Sequence, residues 1–98
     1  MPNWKNASKD DQKRLQAITL VLKNYPWLVD EIFNPLEPCL KISPQALVRG
    51  RSSGERALLR LALDIWNESG NSRLSELGSL DFNNLENIFS ALRFLWMS

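Results

Sequence analysis

Apolar side chains recur at helical spacing along most of this chain. Leu15, Ile18, Val21, Leu22 and Tyr25 share one side of a helix and Leu20 falls on the other. Ser8 precedes the run as an N-cap, and Asp10 and Asp11 put negative charge in the first turn, where the helix dipole favours it. Pro26 ends or kinks this helix and opens a short second one over residues 26–34, with Leu28, Val29, Ile32 and Phe33 as its apolar face. Pro35 and Pro38 stop that helix. Leu40 and Ile42 then alternate with Lys41, which predicts a short extended piece with no strand partner, and hence no sheet. Ser43 and Pro44 read as the cap and first position of a short helix, PQALVR.

Ser52, Ser53, Gly54 and Glu55 fit a capping box, with serine at the cap and glutamate three residues on. The helix predicted over 53–68 carries Leu58, Leu59, Leu61, Ala62, Leu63, Ile65 and Trp66, which cover roughly 200° of its circumference at 100° per residue. Only Arg56, Arg60, Asp64 and Asn67 form a polar strip, so this is the expected central helix. The SGNS run, with Gly70, ends it. Residues 72–78 predict another short helix with Leu74 and Leu77 inward. Asp81 caps the last helix, where Phe82, Leu85, Ile88, Phe89, Leu92, Leu95 and Trp96 make one broad face. Asn83, Glu86, Asn87, Ser90 and Arg93 make the other, and Phe94 lies on that polar side.

These elements predict an all-α fold: a small helical bundle of three main helices and several short ones, with little or no β structure. Residues 1–98 form one domain, with residues 1–7 a flexible arm on which Trp4 alone docks. The first 34 residues are expected to pack as a hairpin on the last 47.

Composition narrows the chemistry. A chain of 98 residues with 44% apolar and 23% charged residues is one globular domain. Four tryptophans and four phenylalanines supply enough buried area for a core. A net charge of +1 argues against a polyanionic mimic and against a strongly basic nucleic-acid binder. The absence of histidine removes histidine triads, proton shuttles and the commonest zinc ligand. One cysteine, Cys39, makes no internal disulfide, so a reducing, cytoplasmic setting is expected. The polar N-terminus does not read as a secretory signal, and no apolar run approaches the ~20 residues that span a bilayer. No cofactor, metal or membrane contact is expected.

The candidate site is the opening of the central helix. Arg49, Arg51 and Arg56 crowd an end that already carries partial positive charge, which is locally unfavourable by a few tenths to ~1 kcal/mol each. Either an external anion faces them, or acids of the same chain do: Glu55, Glu76, Asp81 or Glu86. The strip then runs Arg56, Arg60, Asp64 with Glu68 near its end, cations first, the poorer order for an isolated helix. A facing surface or an Arg60–Asp64 pair accounts for it.

Ser52, Ser53, Gly54 and Glu55, followed by RALLRLAL, locally resemble the signature region of ATP-binding cassette ATPases, and Ser79, Leu80 and Asp81 resemble that family's later loop. The resemblance implies a phosphate beside the helix start. The chain lacks the phosphate loop and the apolar strand ending in paired acids, and a capping box explains the same residues. The segment RLSELGSLDFNNLENIF has the outline of a helix-turn-helix, with Asn83, Asn84 and Asn87 as candidate base readers, but Glu86 lies among them and Arg93 is the only cation, so a helical hairpin of the core is the favoured reading. Asp10 with Asp11 and Asp30 with Glu31 diverge around their helices and read as a cap and a solvated edge. Cys39 reads as a buried or idle thiol.

Leu20 and Phe94, on polar faces, together with Trp4 or Trp27 and the FLWMS end, compose either a partner patch or a contact with the N-terminal arm. The resulting expectation is a non-enzymatic binding protein: a subunit, adaptor, regulator or inhibitor. Its contact would be Arg49, Arg51, Arg56, Arg60 and Asp64, flanked by Leu20 and Phe94, against an acidic protein surface. Nucleic-acid binding through Arg49, Arg51, Arg56 and Arg60 is the alternative, and a homo-oligomer is compatible with either.

Overall fold

The computed structural model describes residues 2–97; Met1 of the arm and Ser98 of FLWMS lie outside them. Six helices follow one another: α1 (Lys9–Val21), α2 (Trp27–Ile32), α3 (Pro44–Val48), α4 (Ser53–Asn67), α5 (Leu74–Leu77) and α6 (Phe82–Met97). The fold is all-α, and among the described residues the only pairing of extended backbone is an isolated antiparallel bridge between Phe33 and Leu40.

Local chemistry sets most of the boundaries. The Ser8 hydroxyl accepts the Asp11 N–H at 3.0 Å, and the Ser43 hydroxyl accepts the Ala46 N–H at 3.2 Å. Ser52 Oγ accepts the Glu55 N–H at 3.3 Å while its own hydroxyl donates to Glu55 Oε1 at 2.9 Å, so serine and glutamate close the start of α4 on each other. Asp81 Oδ1 accepts the Asn84 N–H at 2.8 Å and caps α6. These bonds satisfy backbone donors that a helix start leaves free. They account for the Ser-Ser-Gly-Glu segment without a nucleotide.

Packing is organised around two helices. α4 packs against α1, α3 and α5, while α6 lies chiefly on α1. The middle position among the three long helices therefore belongs to α1, whose second half buries Ala17, Ile18 and Val21. The core joins these to Leu22, Leu28, Val29, Ile32, Phe33, Leu47, Leu58, Leu59, Leu63, Ile88 and Ala91. A Cα radius of gyration of 12.5 Å is that of a compact chain of this length.

The arm is tied in. Trp4 is buried, its ring meets Phe33 edge-on at 5.4 Å and Trp66 at 5.6 Å, and its Nε1 donates to the Asn34 carbonyl at 2.8 Å. The Asn3 N–H donates to the Pro35 carbonyl at 2.9 Å.

Five side chains, Leu74, Asn84, Phe82, Phe89 and Trp96, are placed differently from the sequence expectation. Leu74 is 86% exposed, because α5 is a single turn and only Leu77 reaches the core from it. Asn84 is buried, and its Oδ1 accepts from Asn24 Nδ2 at 3.3 Å. α6 is also turned on its axis: its innermost residues are Asn84, Ile88 and Ala91, while Phe82, Phe89 and Trp96 face solvent. The inward residues are smaller, which suits the close packing of α6 on α1.

Candidate functional site

The arginines at the opening of α4 divide into two kinds. Arg51 Nη2 donates to Glu31 Oε2 at 2.6 Å and its Nε to the Leu47 carbonyl at 3.0 Å, so it ties α2 to the end of α3. Arg60 Nη1 donates to Glu76 Oε1 at 3.0 Å, which ties α4 to α5. Both are answered by acids of the same chain. Arg49 is exposed and Arg56 half-buried, and neither enters an ion pair among the described residues. Of the four arginines, Arg49 and Arg56 are thus the two without an ion pair among the described residues.

Asp64 does not pair with Arg60. Its Oδ1 accepts the N–H of Gly70 at 2.7 Å and of Asn71 at 3.1 Å, and its Oδ2 accepts the N–H of Ser72 at 2.8 Å. Three consecutive backbone donors close on one carboxylate and fold the SGNS loop back over α4. The loop borders an open cavity of about 420 Å³ whose lining includes Gln45, Arg60, Ser72 and Arg73. Of its polar lining, the Arg60 guanidinium and the loop N–H groups are turned onto Glu76 and Asp64, while the buried Ser72 hydroxyl has no hydrogen-bond partner among the described residues.

Leu20 and Phe94 are half-buried against the core, and Trp4 lies inside it. They do not form an outward aromatic patch with Trp4. Trp27 is 54% exposed and meets Tyr25 edge-on at 5.6 Å. Asn84 is buried, which removes it from any groove-reading face. Asp11 pairs with Arg14 at 3.3 Å, as a surface carboxylate does, and Cys39 is exposed rather than buried.

The strongest exposed feature was hidden within a face read as core. Phe82, Phe89 and Trp96 are 72%, 58% and 76% exposed. They stand seven residues apart, a spacing that drifts only about 20° per step on a helix, so they form one line along the outside of α6. Half-buried Leu85 and Leu92 flank the line on one side, and exposed Glu86 and Arg93 flank it on the other. The seven-residue spacing shows in the sequence that these aromatics share one line, but not that the line faces outward.

Comparison with protein-family profiles, curated proteins and solved structures finds no match to the chain. Among the described residues, no helix is long and apolar enough to cross a membrane.

Proposed function

We propose that this chain is a non-enzymatic binding domain that works by occupying a protein surface, with the outer face of α6 as its principal contact. The supporting observation is the exposed line Phe82, Phe89, Trp96. Large aromatics dominate the energetics of protein interfaces, and a contiguous apolar patch of this kind marks an interaction surface more often than a bare one. Arg49 and Arg56 supply a second, charged contact suited to carboxylates of an acidic partner. Arg51, Arg60 and Asp64 serve the fold, and Leu20 and Phe94 support α1 and α6 from within. A reducing compartment such as the cytoplasm suits the single exposed thiol of Cys39.

The test is affinity capture of binding proteins with four forms of the chain: wild type, Phe89→Asp, Trp96→Asp, and Arg49→Glu with Arg56→Glu. Capture that survives moderate salt and is lost in the two α6 variants supports this reading. Capture lost only in the arginine variant moves the contact to the α4 edge. Retention of nucleic acid, falling steeply with salt and abolished by the arginine variant, replaces the protein partner altogether.

A further inference from the structure

We infer that the partner of the α6 face is a second copy of the same helix, running antiparallel about a two-fold axis through Phe89. This rests on the reading of α6 as a contact surface and names its occupant. The argument is the distribution of side chains on either flank of the aromatic line. With Phe89 as origin, Phe82 and Trp96 lie within about 20° of it, Glu86 and Arg93 about 40–60° to one side, and Leu85 and Leu92 about 40–60° to the other.

A two-fold axis lying in the interface, perpendicular to the helices, reverses the chain direction and carries each flank onto the same flank of the copy. Phe89 then meets Phe89, and Phe82 meets Trp96 at both ends of a contact about 21 Å long. On the charged flank Glu86 comes level with Arg93 of the copy, within about one residue's rise, and the symmetry forms this pair twice. On the other flank Leu85 meets Leu92. A parallel pair instead sets the charged flank against the leucine flank and leaves both ions facing hydrocarbon. Only the antiparallel arrangement matches apolar to apolar and acid to base, which is how flanking charges set helix orientation. Glu86 and Arg93 are both exposed, and neither is committed to an ion pair among the described residues.

The area fits a modest dimer. Aromatic side chains of roughly 150–250 Å² each, exposed to the extents given, offer on the order of 400 Å² per chain. With the flanking leucines and ions, the pair approaches the lower end of the ~1,200–2,000 Å² of specific interfaces. The dimer is therefore concentration-dependent.

Sedimentation equilibrium of the full chain, from micromolar to millimolar, tests this. The expected result is a mass rising from 11.3 kDa toward twice that value. Phe89→Asp should stay at the single-chain mass throughout with an unchanged far-UV circular dichroism spectrum. Glu86→Arg and Arg93→Glu alone should each weaken the dimer about tenfold or more by setting like charges together. The double variant Glu86→Arg with Arg93→Glu should restore it to within about threefold, which unspecific apolar association would not do. A single-chain mass for wild type at every concentration overturns the inference, as does a dimer that survives Phe89→Asp or one not restored by the exchange. If wild type is monomeric while the α6 variants still lose a captured protein, the contact surface stands and its occupant is not a second copy. If wild type is monomeric and the α6 variants change nothing, both fall.

Discussion

Asp64 sits in the last turn of α4, where a carboxylate meets the negative end of the helix dipole. Three backbone N–H groups of the following loop offset that penalty, and the loop is shaped to bring them there. Glu68 and Asn71 adopt left-handed backbone with φ of 62° and 55°, and Gly70 lies so close to α4 that a Cβ there would stand 1.7 Å from the Arg60 carbonyl oxygen. Only glycine fits. Gly70→Ala is therefore expected to lift the loop and destabilise the fold by at least ~1–3 kcal/mol, the usual effect of forcing atoms into a packed site. Asp64→Ala leaves three donors without their acceptor and should lose about 2–3 kcal/mol, with Asp64→Asn intermediate. In a domain of this size each kcal/mol lowers Tm by about 4–8 °C, so thermal unfolding followed by circular dichroism resolves all three. A fall in Tm with Asp64→Ala assigns this residue to the loop. An unchanged Tm would return it to the strip expected to face a partner.

At the scale of elements, what the sequence made legible was local. The capping serines, Asp81 and the prolines act within three or four residues, and the helices begin within a residue or two of where they point. The facing of α6 was not legible, because its apolar residues span an arc wider than any one helix contact covers. Periodicity marks such an arc as apolar without saying which part turns inward. Contact with α1 decides it, favouring Ile88 and Ala91 over the bulkier Phe82, Phe89 and Trp96. The candidate site was half legible for the same reason. Four arginines near one helix start are visible in the sequence, but the acids that claim Arg51 and Arg60, Glu31 and Glu76, stand 20 and 16 residues away. Two substitutions on α6 separate its faces. Ala91→Leu should cost about 1–3 kcal/mol by overfilling the buried side. Phe82→Ser, at dilute chain concentration, should stay within about 0.5 kcal/mol of wild type, as surface changes do. Urea denaturation of both variants reads the difference, and a reversed order would mean that α6 turns the other way.

Across the whole molecule, the arm, the turn after α2 and the end of α4 meet in one aromatic cluster. Phe33 and Trp66 face each other edge-on at 4.9 Å, and Trp4 closes on both. No local signal announces this, because its members come from positions 4, 33 and 66 and only the folded chain brings them together. The cluster gives the arm a share in the cooperative unit rather than a place beside it. If the arm were a separate, loosely held strap, Trp4→Ala would leave Tm alone and merely expose residues 2–7 to proteases. As part of one unit, Trp4→Ala should remove about 3–5 kcal/mol from global stability, the range for emptying a buried tryptophan site. Trp4→Phe keeps most of the ring contact but loses the indole donor to the Asn34 carbonyl, so its expected loss is about 1–2 kcal/mol. Both variants should unfold in a single transition with the urea dependence of wild type, since the surface exposed on unfolding scarcely changes. A lower denaturant dependence with an unshifted midpoint would instead show the arm already detached in the folded protein.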